Sequence, residues 1–177
     1  EAHAVNASLN YDADFNYMTA AFESGIADYC TMFEPTASDY EAEGKGYIVA
    51  SVGEQSGEIP YTCFAARQSY IDENPDKIEG LLRAVTKAIK FTMENDAATI
   101  AGYLTAYFDG TSEESLANSV QAYKDIDAWV TNMAMEESAF TRLQDVIENS
   151  GELERRVDFD ELILTDAAQK VYEEVYS

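Results

Sequence analysis

Residues 26–37 read IADYCTMFEPTA, and the fold turns on how that stretch is taken. Ile26, Tyr29, Cys30, Met32 and Phe33 give it the apolar, β-favouring character of a buried strand. Glu34-Pro35 then ends the pattern, because proline fixes φ, lacks an N–H and suits the first position of a helix. Gly25 before it is a good helix end, and residues 15–24 (FNYMTAAFES) place Phe15, Met18 and Phe22 at helical spacing. Helix, strand and Pro-opened helix therefore follow one another within thirty residues.

Working outward, Ala7–Tyr11 reads as a short strand, KGYIVASVGE (45–54) as a second and IPYTCFAAR (59–67) as a third, with GEQSGE (53–58) as the loop between the last two. Beyond Arg67 the pattern becomes helical. Asn74-Pro75 reads as a cap with a first-turn proline, and Ile78, Leu81, Leu82, Val85 and Ile89 form a stripe on a helix to about Glu94. A short helix is expected over 97–107. Another opens with a Thr111–Glu114 capping box and carries Leu116, Val120 and Tyr123. Residues 136–149 place Phe140, Leu143, Val146 and Ile147 on one face, and about 165–176 carries Ala168, Val171, Tyr172 and Val175. This order predicts an α/β fold: a short parallel-type sheet plus C-terminal helices. The helices outnumber the sheet they would cover, which suggests that sheet is missing from the chain.

Charge narrows the function classes. Among 177 residues, 34 are acidic and 11 basic, a formal net charge of −23. Such a surface repels phosphate backbones and anionic lipid, so a nucleic-acid partner is not expected. Hydrophobic residues make up 46 %, a folding composition, and no apolar run approaches the ~20 residues of a membrane span. Asn6-Ala7-Ser8 matches a glycosylation sequon, a weak signal. Cys30 and Cys63 form no CxxC motif and His3 is the single histidine, so no metal site and no cofactor is expected. The cysteines read as core fillers; a disulfide would need adjacent strands and an oxidising compartment, and a catalytic thiol would have only His3 as base.

The segments AAFESGIADY (20–29), FEPTASDYEAEGKGYIVASVGEQSGEIPYT (33–62) and YIDENPDKIEGLLRAVTKAIKFTMENDA (70–97) resemble the C-terminal half of ABC-transporter substrate-binding proteins. The branch is the one that handles nitrate, sulfonates, taurine and thiamine-pyrimidine precursors. The resemblance runs on through ESAFTRLQDVIENSGEL (137–153), and the order of the motifs is more specific than any one of them. It implies part of a two-lobed type II periplasmic-binding-protein fold. Residues 1–33 would be the end of one lobe with a crossing strand, and 34–177 the C-terminal part of the other. An N-terminal half would then be absent, its sheet supplied by the missing half or by self-association. The resemblance also implies a non-enzymatic, extracellular or periplasmic solute binder, lipid-anchored at full length, that serves an ABC permease. The alternatives are sulfonate, taurine or nitrate binding, a pyrimidine-precursor biosynthetic enzyme, and an acidic interaction module without a small ligand.

Ligands of two-lobed binders sit at strand ends and helix starts. Glu34 puts a carboxylate at such a place, which disfavours a small oxyanion and suits amino or ring N–H donors. It is the first candidate ligand residue, as the recognition group for a nitrogen-bearing molecule such as an aminopyrimidine; the alternative is that it only complements the helix dipole. Tyr61 and Thr62, after Pro60, are candidates for stacking and hydrogen bonding, against a core tyrosine as the alternative. Thr31, Met32 and Phe33 are further candidates, though strand alternation would turn only some of them toward a ligand. Asp28 reads as an acceptor for the turn after Gly25, and Trp129 as a packing residue.

Overall fold

A computed structural model describes residues 8, 14 and 17–177. Apart from Ser8, which is exposed and in no regular element, the expected strand at Ala7–Tyr11 lies outside the described residues, as does Asn6 of the sequon. The chain divides into two compact units, one ending at Val49 and the other spanning Ala50–Ser177.

The first unit contains α1 (Met18–Glu23) and α2 (Thr36–Ala42). Gly25 at φ +74° and Gly44 at φ +70° lie just beyond the two helices, in the left-handed region that glycine enters without a Cβ penalty. The extended stretch after α2 passes so close to α1 that a Cβ on Gly46 would lie 3.2 Å from the Phe22 ring. Lys45 bridges Glu23 of α1 at 2.9 Å and Glu43 at 2.7 Å.

The second unit is helical: α3 (Val52–Ser56), α4 (Gln68–Glu73), α5 (Pro75–Glu94), α6 (Ala97–Leu104), a 3₁₀ turn (Thr105–Tyr107), α7 (Glu113–Asp125), α8 (Glu137–Asn149), α9 (Phe159–Leu162) and α10 (Asp166–Tyr176). Its core lies between α6 and α7, which bury Ile100, Ala101, Leu116 and Val120, and between α5 and α10, which bury Thr86, Ala168 and Val171. Phe140 of α8 is also buried and meets the Phe159 ring edge-on at 5.7 Å. Asp96 and Ser112 cap α6 and α7 by accepting the Thr99 and Ser115 amides at 2.7 and 3.0 Å. The cap of α7 is thus Ser112, one residue after the expected Thr111. Asn74 donates its side-chain amide back to the Tyr70 carbonyl instead of capping α5.

The expected α/β class is overturned: among the described residues there is no strand, and the protein is mostly helical. A helix closes its hydrogen bonds within its own segment, whereas a strand exists only against another. Residues 27–33, 46–51 and 59–67 contain no helix and join no ladder. Only the end of the expected second strand, residues 52–54, enters α3: Ser51 accepts the Glu54 amide at 3.2 Å and starts a helix that takes in most of the expected GEQSGE loop. The cysteines are not core fillers as a pair either: Cys63 is exposed and Cys30 half-buried, both as free thiols.

Candidate functional site

A cavity of about 330 Å³ lies in the first unit, lined by Met18, Thr19, Thr31, Met32, Phe33 and Thr36. The local sequence builds it in three steps. Gly25 reverses the chain after α1, its amide donating to the Phe22 carbonyl at 2.9 Å while the Ile26 amide donates to Ala21 at 3.2 Å. The chain then returns past the start of α1, where the Cys30 thiol lies 3.6 Å from the Met18 carbonyl and 3.3 Å from its neighbour Thr31's. Partial burial pushes that thiol's pKa up, which keeps it protonated and able to donate. Finally α2 begins, the Ala37 amide donating to Phe33 and the Asp39 amide to Pro35, and this brings Thr36 to the cavity wall.

Two of the expected ligand residues, Thr31 and Phe33, line this cavity, and Met32 between them lines it too. Strand alternation does not apply, because the segment is not a strand. Glu34 follows directly, half-buried, and its Oε2 accepts the amide of buried Ser38 at 3.0 Å. One carboxylate oxygen therefore satisfies the Ser38 amide, one of the first-turn amides of α2 that have no partner inside the helix. Tyr61 and Thr62 belong to the second unit, on the extended stretch before α4, and Tyr61 is 79 % exposed. Asp28 is exposed and does not accept from the turn after α1, whose amides bond the Ala20, Ala21 and Phe22 carbonyls. Trp129 packs edge-on against Tyr123 at 5.7 Å.

Met18, Thr19 and Thr36 were not singled out by the sequence reading. Met18 carried only the signal of an apolar helix position, and no spacing rule ties α1 to a segment beyond a glycine turn. The cavity wall is thioether, aromatic and hydroxyl in character, with no charged side chain among its lining residues. Glu23, on α1, has its carboxyl held below the usual range by hydrogen bonds from Lys45 and Tyr40. Among the described residues no group of three or more His, Cys, Asp or Glu side chains is placed to hold a metal ion, and no helix is long and apolar enough to cross a membrane.

Residues 15–105 match the NMT1-like family. The chain is also 35 % identical over 166 residues to a Bacillus subtilis protein named "Putative binding protein YtlA", an alignment that covers 94 % of this chain and 50 % of that protein. The chain thus spans about half the length of the curated relative it matches. No solved structure matches.

Proposed function

The chain belongs to the NMT1-like family, and from that membership we propose that it forms the ligand-holding part of an extracellular solute-binding protein. The molecule captured is small and nitrogen-containing, of the thiamine-pyrimidine precursor kind, and is delivered to an ABC permease. No bond is made or broken; ligand shifts the protein between conformations that the permease distinguishes. The observation that carries this reading is the cavity around Thr31, Met32 and Phe33, which lies inside the span matched by the family and directly before Glu34. Its mixed apolar and hydroxyl wall is the usual make-up of a small-molecule pocket.

Glu34 is the recognition group in this proposal. A carboxylate accepts charge-assisted hydrogen bonds from ligand N–H donors, and the position of Glu34 directly after cavity-lining Phe33 supports this role. Thr31 and Phe33 contact the ligand in this reading, as residues of the cavity wall. A thermal-shift screen with a 4-aminopyrimidine, taurine and nitrate tests the ligand class, since a molecule that binds only the folded state raises Tm. The aminopyrimidine is expected to raise Tm, and Glu34→Gln to weaken its binding by about tenfold. Unchanged affinity in Glu34→Gln would remove Glu34 from the site. A shift with taurine or nitrate alone would replace the ligand class.

A further inference from the structure

The unit that holds the cavity is charged in one direction. Up to Val49 it carries nine carboxylate side chains and, apart from His3, a single basic side chain, Lys45. Lys45 is already committed: its ammonium lies between Glu23 and Glu43 and 5.0 Å from the centre of the Tyr40 ring. Hydrogen bonds from Lys45 to those two carboxylates raise its pKa further, so it stays charged and paired. Among the described residues of this unit, no other lysine or arginine remains to neutralise an anionic ligand. A cleft in a field of one sign gathers ligands of the opposite sign and excludes its own.

The wall chemistry points the same way. The face of the Phe33 ring attracts cations, the thioethers of Met18 and Met32 are polarizable apolar contacts, and the hydroxyl oxygens of Thr19, Thr31 and Thr36 accept from N–H donors. A volume of about 330 Å³ is near the lower end for small-molecule sites, which suits a single substituted ring.

We propose that this cavity takes a compact organic cation, an amine or a protonated amino-substituted ring with one apolar face, in preference to a neutral or anionic molecule of the same shape. The inference rests on the solute-binding reading above and adds the charge of the ligand to it. The charged N–H end lies over the Phe33 ring within reach of the threonine hydroxyls, and the apolar face lies against Met18 and Met32.

Isothermal titration with benzylammonium, benzyl alcohol and benzoate tests this, because the three share a ring and differ in charge. At 20 mM NaCl the cation should bind about tenfold tighter than the alcohol, with no heat from benzoate, and the gap should narrow at 200 mM as salt screens the field. Phe33→Leu, a change at a partly exposed position, should cost the cation about fivefold and the alcohol less. Equal or tighter binding of the alcohol or of benzoate overturns the proposal. Native mass spectrometry of protein purified without denaturation separates this failure from that of the solute-binding reading. A co-purified neutral or anionic molecule overturns only the ligand charge, and a co-purified cation carries the proposal even where the benzyl probes give no heat. No small mass together with no heat overturns both.

Discussion

Gln144 sits on α8 with 8 % of its surface exposed, and its side chain does for Val157 what a neighbouring strand would do. Its Nε2 donates to the Val157 carbonyl at 3.1 Å and its Oε1 accepts the Val157 amide at 2.8 Å. Both polar ends of a buried amide are thereby satisfied, and the chain after α8 is fixed against the helix. Gln144→Leu keeps the bulk but leaves the backbone groups of half-buried Val157 without these partners, so it should destabilise by about 1–3 kcal/mol in urea unfolding. Gln144→Glu keeps the acceptor and should fall between Leu and the native residue. The pattern of apolar residues could not disclose this. It placed Val146 on the inner face, yet Val146 is 51 % exposed while Gln144 is buried. Glu34 is a parallel case. The sequence puts a carboxylate at the start of a helix, but that its acceptor serves the Ser38 amide depends on backbone geometry that residue types do not specify.

Pairs of helices are held by contacts of long sequence separation. Arg83 of α5 donates to Glu174 of α10 at 2.6 Å, Lys170 reaches back to Glu79 at 2.6 Å, and Lys90 donates to the Val175 carbonyl at 2.9 Å. The hydrogen bond from Arg83 holds the Glu174 carboxyl below its ordinary range. A carboxyl with a depressed folded-state pKa stabilises the fold above its unfolded value, and that contribution is lost as pH falls through the folded value. Glu174→Gln should therefore lower Tm at pH 7 by about 1–3 °C, and the two proteins should converge as pH falls toward 3. The comparison belongs at 150 mM NaCl, where removing one negative charge from a −23 chain brings little relief of longer-range repulsion. At this scale α5, α7, α8 and α10 were legible because a helix writes its buried face at a fixed spacing and closes its own hydrogen bonds. Caps and ties were less so: Lys124 of α7 donates to the Thr92 and Asn95 carbonyls at the end of α5, a partner some thirty residues away. The extended stretches were misread as strands because alternation reports side-chain character, whereas a strand needs a partner that its own segment does not contain.

Across the whole molecule, attraction is local and repulsion is general. Of 11 basic side chains, Lys45, Arg83, Arg156 and Lys170 form ion pairs, Arg156 with both Asp145 and Glu148. These contacts cannot offset 34 carboxylates, so the folded chain compresses a large excess of like charge. The ion pairs act over a few ångströms, while the repulsion sums over many pairs at longer range. Salt separates the two, because the screening length shortens from about 30 Å at 10 mM to about 8 Å at 150 mM. Over that interval repulsion between distant carboxylates is lost first, and direct contacts such as Arg83–Glu174 persist. Raising NaCl from 10 to 150 mM should therefore increase Tm by a few degrees, with most of the gain complete before 150 mM. A Tm that fell over the same interval would mean that the ion pairs outweigh the repulsion, and that the acidic surface lies too far from itself to strain the fold.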